Sequence, residues 1–312
     1  MQSTGKTKLS AVVVHWRDEE HLDELVASWP DTPDFELLVV DNSASLGELP
    51  QPARLLTPGH NLGFAGGVNH GAAVASGEVL LILNADALPQ PGALECLLAA
   101  FEGFPQAAGI VPALEGPGGE SQHRWQLQPL PTPFDLLRQT FFFAATRGPL
   151  RPPARGTAIA QPAAAALALR VDVLRQVGGF DEGFFPAWFE DVDLARRLAD
   201  QGHQLHYDPT ARFSHAGGAT VGRLGYGPFL WVYYRGLVRY LTKHHGGGWA
   251  LLARVCLPLG MLWRTLLLAR RPRRAASRRE AAAGLWAVAA GAASGWRRPL
   301  EYARRFSARA PG

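Results

Sequence analysis

The chain has 312 residues, of which 47% are hydrophobic and 19% are charged, and its formal net charge at pH 7 is +4. This amount of apolar surface excludes a disordered chain, and the length fits a core domain of roughly 240 residues with an appendage. The two cysteines, Cys96 and Cys256, lie far apart in apolar segments, which excludes a disulfide framework and a zinc site. Together with a polar N-terminus that has no signal-peptide pattern, they agree with a reducing cytoplasm.

The positive charge is concentrated at the C-terminal end. Residues 249–312 contain thirteen arginines and two glutamates, a balance of +11, so the preceding 248 residues together carry −7. A protein that binds nucleic acid needs a basic footprint on its folded surface. The mildly acidic body of this chain therefore argues against a nucleic-acid partner.

Strands and helices are predicted to alternate over the first hundred residues. Patterns typical of a buried strand or a helix follow one another in the segments 9–15, 19–29, 35–40, 61–77, 78–83 and 91–101. This alternation predicts an α/β fold with a parallel sheet and right-handed crossovers. Ligands of such sheets bind beyond the carboxyl ends of the strands, so we expect Asp41 and Asp86, which follow two of the strands, at one rim.

The order of elements is less regular after residue 110. Residues 112–162 are rich in proline, glycine and polar residues, and they predict an irregular excursion. The sheet is expected to resume at residues 163–170. A helix from Glu190 to Asp200 and a strand at residues 203–207 are predicted after it.

Leucine and tryptophan recur over residues 249–269, but Arg254, Pro258 and Arg264 interrupt them. A membrane-spanning helix needs about 20 predominantly apolar residues with few charges. We therefore predict an amphipathic helix in the headgroup region of a membrane, with the six arginines of residues 270–279 against anionic lipid. The alternative is a helical hairpin that packs on the domain or on a partner and has a solvated basic face.

Two polar motifs follow the early strands. Asp41 comes directly after the strand at 35–40, where its carboxylate can accept hydrogen bonds from a nucleotide base or ribose, although acids also cap turns. Residues 61–71 contain four glycines and two asparagines near a helix start, and their backbone N–H groups predict a phosphate or ribose site. The glycines are not spaced as G-x-G-x-x-G, which argues against a dehydrogenase.

The segment Asn84-Ala85-Asp86 follows the strand at 78–83. A carboxylate on a rigid strand end can bind Mg²⁺ or Mn²⁺, which neutralises a diphosphate leaving group. The alternative to a metal ligand is that this segment only forms the turn at the end of the strand. A lone histidine more often has a structural role than binds a ligand. Among the ten histidines we nevertheless select His215 as a ligand, because Gly217 and Gly218 shortly after it allow close approach of a bound group.

Three carboxylates open the helix predicted from residue 190: Glu190, Asp191 and Asp193. Acids in a first turn also stabilise a helix through its dipole. Asp191 shares its helix face with apolar residues, so we expect it to point into the cleft and to remove the proton of an acceptor hydroxyl. Phe185 and Trp188, just before this helix, can stack on sugar rings, although aromatic side chains more often fill a core.

Taken in order, these motifs resemble those of glycosyltransferase family 2, in its rhamnosyltransferase-like branch. The matching segments are 40–43, 61–71, 83–87, 178–181, 190–197 and 202–215, and the likeness extends over roughly residues 9–235. The chain departs from the family pattern at Trp188-Phe189, where a Met-Tyr or Tyr-x pair is frequent. Asn at position 84, in place of Asp, is usual in this branch.

The resemblance implies a GT-A fold, in which helices flank a Rossmann-like, mostly parallel sheet. It implies a glycosyltransferase domain at residues 1–240, with a nucleotide-binding half at about 9–110 and an acceptor half at about 160–235. A helical, Arg-rich extension at residues 241–312 is expected to associate with the membrane.

The resemblance also implies roles for the motif residues. Asp86 and His215 would form the site for a divalent cation, and Asp191, together with Glu190, would supply the catalytic carboxylates. Phe185 and Trp188 remain the candidates for acceptor binding. The residues expected at the nucleotide-sugar are Asp41, Asn42, Asn61, Gly63, Gly66, Asn69 and Asn84.

The expected function is inverting transfer of a sugar, with rhamnose the first candidate, from a dTDP-, UDP- or GDP-sugar to a hydroxyl of a glycan or lipid-linked acceptor. Such a reaction belongs to cell-envelope polysaccharide synthesis, and the arginines place it at the inner face of the cell membrane, on a cytoplasmic, peripheral protein. One alternative is a carbohydrate-binding scaffold without catalysis. Another is a nucleotidyltransferase or sugar-nucleotide hydrolase, and the absence of a basic loop after the first strand disfavours nucleotidyl transfer.

Overall fold

The computed structural model describes residues 7–142, 148–217, 224–267 and 277–296. The strands in these residues are β1 Leu9–His15, β2 Phe35–Asp41, β3 Ala53–Leu56, β4 Val79–Leu83, β5 Ala87–Pro89, β6 Gly109–Glu115, β7 Leu127–Gln128, β8 Ala158–Ile159, β9 Gln161–Pro162, β10 Ala166–Arg170 and β11 Leu205–His215. The helices are α1 Glu19–Ser28, α2 Gly63–Val74, α3 Ala93–Gly103, α4 His123–Gln126, α5 Pro133–Phe141, α6 Val171–Gln176, α7 Glu190–Asp200, α8 Tyr226–His245, α9 Gly247–Leu266 and α10 Arg278–Ser294.

The central sheet has the strand order β3-β2-β1-β4-β10-β6-β11-β5, with β8 also paired to β11. β1 runs parallel to β2 and β4, and β6 runs parallel to β11, whereas β10 is antiparallel to both of its neighbours. All five residues of β4 are buried, because helices pack on both faces of the sheet. The predicted α/β fold with a mostly parallel sheet is confirmed.

The carboxyl ends of β1, β2 and β4 lie at one edge of the sheet, since the three strands are parallel neighbours. Asp41 is the last residue of β2 and pairs in register with His15, the last residue of β1. Asp86 lies three residues beyond the end of β4. This edge therefore carries both acids that follow the early strands.

Residues 63–74 form one helix, α2, so the four glycines that the sequence indicated near a helix start lie within the helix itself. A Cβ atom at Gly71 would lie 2.5 Å from Cγ1 of Val12, and one at Gly67 would lie 2.7 Å from Cγ1 of Val14. These glycines therefore let the axis of α2 approach β1 more closely than a larger residue would permit. Glycine usually disfavours a helix interior, and close packing compensates here.

The strand β11 is longer than the segment predicted at residues 203–207. It runs from Leu205 to His215 along β6, and the register shifts between Asp208 and Arg212, which accommodates Pro209 in a bulge. The end of β11 pairs antiparallel with β5, so that His215 lies opposite Ala87. This pairing brings His215 next to the segment that follows β4.

The excursion predicted as irregular at residues 112–162 contains regular structure. It includes the end of β6, the helices α4 and α5, and the short strands β7, β8 and β9. Thr132 and Asp135 form a capping box that begins α5, a local signal that the sequence contains. Phe143, part of an aromatic cluster in this stretch, lies outside the described residues.

The helices α8, α9 and α10 pack together and share a core with α5. Close contacts hold them: Gly260 of α9 approaches the carbonyl of Thr140, and Gly284 of α10 approaches Gly227 of α8. These helices therefore pack on the domain, as the alternative interpretation expected, whereas contact of this part of the chain with a membrane stays a prediction. Residue 240, the predicted domain boundary, lies within α8, and the division of the chain there stays a prediction.

One face of α9 is nonetheless exposed and apolar. Its exposed side chains recur at helical spacing and include Leu251, Val255, Leu259, Leu262 and Leu266. None of the helices in the described ranges is both long and apolar enough to cross a membrane. Most of the arginine cluster at residues 270–279 lies outside the described residues.

Candidate active site

Asp86 and His215 lie side by side at the rim of the sheet. Nε2 of His215 is 3.5 Å from Oδ1 of Asp86, and both side chains are buried. The backbone after β11 holds Asp86 in position through two hydrogen bonds. Gly217 N donates to Oδ2 of Asp86 at 3.2 Å, and Ala216 N donates to the backbone carbonyl of Asp86 at 3.1 Å. Two residues that are 129 positions apart therefore share one small polar site.

Gln122 determines which nitrogen of His215 carries the proton. Its amide nitrogen donates to the backbone carbonyl of His215 at 2.8 Å, and its Oε1 lies 2.8 Å from Nδ1 of the ring. A carbonyl can only accept, so the amide nitrogen must face it, and Oε1 is left to accept a proton from Nδ1. The lone pair of the neutral ring is then on Nε2, which faces Asp86. The ring of Trp125 stacks on the imidazole, with 5.2 Å between the centroids.

The chemistry of this pair fits a divalent cation. An imidazole lone pair and a carboxylate are both ligands of Mn²⁺, and Mg²⁺ is commonly held by one or two protein carboxylates and the phosphates of a substrate. Burial by itself raises the pKa of Asp86, but the hydrogen bond and positive charge that His215 supplies when its ring is protonated, together with the N–H of Gly217, lower it below its ordinary value. The ionised carboxylate is the ligand form, and a cation on Nε2 would take the place of that ring proton. Within the described residues there is no group of three or more His, Cys, Asp or Glu side chains that would hold a metal unaided.

The start of α7 presents Glu190 and Asp191 from a strained turn. Trp188 and Phe189 have φ values of 72° and 76°, a conformation that non-glycine residues rarely adopt. Packing holds the turn in place. The ring of Phe189 is buried against Tyr233 and Tyr240 of α8, and a Cβ atom at Gly236 would lie 2.8 Å from the carbonyl oxygen of Trp188.

Asp191 is linked directly to the rim that carries Asp86. Its carboxylate accepts a hydrogen bond from Val192 N, at 2.8 Å, and lies close enough to the backbone N–H of Ala164 for that group to lower its pKa. The next residue, Ala165, accepts a hydrogen bond from Asn84 N at 2.9 Å. The segment that leads into β10 thus joins Asp191 to the turn that contains Asn84 and Asp86.

The two adjacent carboxylates differ in their affinity for protons. Burial raises the pKa of Glu190 well above its ordinary value, and the neighbouring charge of Asp191 raises it further. Burial also raises the pKa of Asp191, but the N–H groups of Val192 and Ala164 oppose the shift. Since Glu190 is buried and its Oε2 has no hydrogen-bond partner in the described structure, the pair holds its first proton on Glu190 and leaves Asp191 as the carboxylate.

Asp193, the third acid of the motif, is a structural anchor. It is fully buried and forms ion pairs with Arg197, at 2.8 Å, and with Lys243 and His244 of α8, both at 2.7 Å. Burial by itself raises the pKa of Asp193, but these three basic groups lower it below the ordinary value. The acid therefore attaches the catalytic helix α7 to α8.

Asp41 and Asn42 make their hydrogen bonds within the chain. Oδ1 of Asp41 accepts from the backbone and the hydroxyl of Ser43, and Oδ2 accepts from Leu46 N at 2.9 Å. Asn42 donates to the carbonyl of Gly63 at 2.9 Å and accepts from Leu62 N at 3.2 Å, so it holds the start of α2. A contact of either residue with a nucleotide stays a prediction.

The asparagines and glycines around α2 connect this helix to the loop between α6 and α7. Oδ1 of Asn61 accepts from Gly63 N at 2.8 Å, and the side chain of Asn69 bonds both the N–H and the carbonyl of Phe180. Gly63 has φ +71°, and a Cβ atom there would lie 2.8 Å from Phe185. At Gly66 it would lie 2.9 Å from Cβ of Leu62, within the same helix start.

Phe185 and Trp188 belong to an aromatic cluster that packs against α8. Its other members include Trp16 of the first loop and Phe229, whose ring is 5.0 Å from that of Trp188. Both candidates are half-buried, so each has one part in the cluster and another accessible. Sugar stacking by these rings stays a prediction.

The fold is that of GT-A glycosyltransferases. The structure superposes on a mannosyltransferase from Pyrobaculum calidifontis in complex with GDP-Man and Mn²⁺, with a TM-score of 0.50 and 19% identity over 98% of this chain and 85% of the other. It also superposes on GalNAc-T7 with UDP, GalNAc and Mn²⁺, with a TM-score of 0.55 and 14% identity over 76% and 48% of the two chains. These similarities confirm the predicted GT-A fold.

Residues 10–176, more than half of the chain, match the model of glycosyl transferase family 2, and the chain belongs to that family. It is 28% identical over 301 residues to an N-acetylglucosaminyl-diphospho-decaprenol L-rhamnosyltransferase of Mycobacterium tuberculosis, covering 87% of this chain and 96% of the relative. It is 29% identical over 241 residues to the O-antigen biosynthesis protein RfbC of Myxococcus xanthus, covering 68% of this chain and 17% of that protein. The recognition of the family and of its rhamnosyltransferase-like branch is confirmed.

Proposed function

We propose that this glycosyltransferase moves a sugar, with rhamnose as the first candidate, from a nucleoside-diphosphate sugar to a hydroxyl of a lipid-linked glycan, with inversion at the anomeric carbon. The observation that carries the proposal is the link through Ala164 and Ala165, which holds Asp191 at the same rim as Asp86. The choice of sugar and acceptor is supported by the relative whose name gives an L-rhamnosyl transfer to a diphospho-decaprenol-linked N-acetylglucosamine, and which aligns over 96% of its length.

In this proposal Asp86 and Nε2 of His215 hold a divalent cation. Such a cation neutralises the negative charge of the departing nucleoside diphosphate. Gln122 keeps the proton on Nδ1 of His215, so that Nε2 is ready to act as a ligand. The mannosyltransferase and GalNAc-T7 structures, both of which contain Mn²⁺, support the use of a divalent cation.

Asp191 takes the proton of the acceptor hydroxyl. The hydroxyl oxygen then bonds to the anomeric carbon while the bond to the diphosphate breaks, and the bonding electrons leave with the diphosphate. Glu190, protonated and buried, adds no second negative charge that would raise the energy of the ionised Asp191. General base catalysis contributes about 10²–10⁴-fold, so the remainder must come from alignment and charge stabilisation.

We also propose that the protein associates with the cytoplasmic face of an anionic membrane. The exposed apolar face of α9 and the balance of +11 over residues 249–312 support this, because apolar burial and attraction to anionic lipid act together on peripheral proteins. A lipid-linked acceptor would be reached at the same surface.

The test of transfer uses dTDP-rhamnose, UDP-hexoses and GDP-mannose with a short-chain prenyl-diphospho-N-acetylglucosamine, with and without Mg²⁺ or Mn²⁺. We expect a metal-dependent disaccharide product, detected by mass spectrometry, whose new linkage has the opposite anomeric configuration to the donor. Free sugar without a glycosidic product would instead identify a hydrolase. A nucleotidylated product with release of pyrophosphate would identify a nucleotidyltransferase, and binding without any donor consumption would identify a scaffold.

A further inference from the structure

A cavity of about 580 Å³ lies between α8 and the end of α10. Three basic side chains of α8 line it, at successive turns of the helix: Arg235, Arg239 and Lys243. The carboxylate of Asp181 also lines the cavity, and the ring of Trp296 forms one of its walls. The lining charges therefore leave an excess of positive charge.

Asp181 does not neutralise all three bases. It is bound by Arg239, at 2.9 and 3.0 Å, and by Lys243, at 2.7 Å. Although burial by itself raises the pKa of Asp181, these hydrogen bonds and the N–H of Gly183 lower it to about 2, so the acid stays ionised. Its single negative charge is shared by Arg239 and Lys243, and Lys243 also pairs with Asp193 of α7 at 2.7 Å.

Arg235 has no carboxylate of the described residues within ion-pair distance. Its Nη1 donates to the backbone carbonyl of Phe185 at 2.7 Å, which satisfies one donor and leaves the charge unbalanced. Arg239 Nε and Trp296 Nε1 are also buried without an acceptor in the described structure. Guanidinium groups with spare donors bind phosphates well, because their planar N–H groups match phosphate oxygens.

The cavity lies beside the proposed acceptor side of the active site. Arg235 holds the carbonyl of Phe185, and the next residue of α8, Gly236, touches the carbonyl of Trp188. Trp188 precedes the proposed base, Asp191, by three residues. On its other side the cavity reaches α9, since a Cβ atom at Gly295 would lie 3.1 Å from the guanidinium of Arg254.

We infer that this cavity binds the diphosphate of the lipid-linked acceptor, an inference that rests on the proposed function. The diphosphate would bind Arg235, together with the spare donors of Arg239 and Trp296. The attached sugar would extend toward Asp191, and the prenyl chain would extend toward the exposed apolar face of α9. The cavity is distinct from the cation site at Asp86, which is proposed for the diphosphate of the donor.

The direct test is calorimetric binding of farnesyl diphosphate to the full-length protein in EDTA, which removes any cation from Asp86 and His215. We expect Arg235→Gln to weaken binding about tenfold or more, the loss of one charge-assisted contact to phosphate. Arg235→Lys keeps the charge and should retain part of the affinity. The matched control is Arg175→Gln, the same change at an exposed site on α6. Unchanged affinity in a folded Arg235→Gln protein overturns the inference.

Inorganic pyrophosphate distinguishes a lipid-linked ligand from a free anion. Weaker binding of pyrophosphate than of farnesyl diphosphate supports the lipid-linked ligand, whereas equal affinity overturns that part of the inference. Transfer assays separate the cavity from the proposed function. If Arg235→Gln transfers sugar at the normal rate and with an unchanged acceptor KM, the inferred diphosphate site is wrong and the proposed function stands. If farnesyl diphosphate binding depends on Arg235 but no diphosphate-linked acceptor receives a sugar, the proposed acceptor is wrong and the anion site in the cavity is supported.

Discussion

Asp191 and Asn84 lie against consecutive residues of the segment that leads into β10. The backbone N–H of Ala164 is near enough to the carboxylate of Asp191 to lower its pKa, and the carbonyl of Ala165 accepts a hydrogen bond from Asn84 N. Because Asp86 is two residues beyond Asn84, this link joins the proposed base to the proposed cation site.

Asp191→Asn should reduce turnover by roughly a hundredfold or more, because the amide cannot accept the hydroxyl proton and general bases contribute about 10²–10⁴-fold. The KM for the nucleotide-sugar should stay near its original value. Asp172→Asn is a matched control, since Asp172 accepts from the following backbone N–H at 2.8 Å, as Asp191 does, but at the exposed start of α6. Steady-state rates of disaccharide formation make the comparison, and near-normal turnover of Asp191→Asn would remove this residue from the role of base.

Gln122→Leu should weaken Mn²⁺ binding by about 10–100-fold, the range typical when the partner of a metal-binding histidine is lost. Without Oε1 of Gln122, the proton of His215 is no longer held on Nδ1, and Nε2 is not reserved as a ligand. Titration of free Mn²⁺ by electron paramagnetic resonance, in the presence of nucleoside diphosphate, measures the change. Gln176→Leu, at an exposed position of α6, should bind Mn²⁺ like the original protein. Equal affinity in both variants would exclude Gln122 from positioning the ligand.

Glu190→Gln should stabilise the protein more at pH 8 than at pH 4.5. The pKa of Glu190 is raised well above its ordinary value of 4.5, so the folded state binds its proton more tightly than the unfolded state does. Its contribution to stability is therefore full below pH 4.5 and is lost as pH rises through the folded pKa. Glutamine resembles the protonated acid at every pH. Thermal unfolding of both proteins over this pH range tests the sign, and a difference in Tm that does not change with pH would contradict the raised pKa.

Much of this architecture could be predicted from the local pattern of the sequence. The apolar run from Phe35 to Val40 ends abruptly at Asp41, and α7 begins at Glu190 and ends at Asp200 as its acidic first turn and Gly202 indicate. Residues 61–74 were harder to predict, because the close approach of α2 to β1 that makes glycine suitable inside a helix depends on tertiary packing. The direction of β10 has the same difficulty, since a buried apolar run looks alike in either orientation.

In the candidate site, too, local motifs indicate some residues, whereas others are recognised only from the tertiary structure. Asp86, Asp191 and His215 stand in recognisable local motifs, so the sequence was enough to select them. Gln122 lies 93 residues from His215 in a stretch without a clear motif, and only the tertiary structure brings the two side chains together. The anchoring contacts of Asp193 are likewise long-range, because two of its three partners lie on α8.

Asp193→Asn should reduce the free energy of unfolding by about 3 kcal/mol or more, as removal of one partner from a buried ion pair typically does. Arg197, Lys243 and His244 would face an amide in place of a carboxylate. The pKa of Asp193 is lowered from 3.8, so its stabilising contribution is present above that pH and is lost as pH falls through the folded pKa. Urea unfolding measures the loss.

The control for this change lies on the same helix. Asp200 forms an ion pair with Arg196 at 2.8 Å, but its side chain is half exposed, so Asp200→Asn should cost only about 0.5 kcal/mol or less. Equal losses in the two variants would mean that Asp193 does not anchor α7 to α8.

Val255 and Leu259 test the membrane proposal, because each is 57% exposed on the apolar face of α9 and neither belongs to the core that α8, α9 and α10 share. The double variant Val255→Asn, Leu259→Asn should reduce binding to vesicles of phosphatidylglycerol at least tenfold, since burial of each side chain is worth about 1.5–3 kcal/mol. Leu150→Asn, at an 80% exposed residue outside the C-terminal helices, should bind like the original protein. The original protein should also bind vesicles of neutral phosphatidylcholine more weakly than vesicles of phosphatidylglycerol, because the C-terminal arginines have no anionic partners there. Vesicle binding that the double variant retains in full would show that this face of α9 is not the membrane contact.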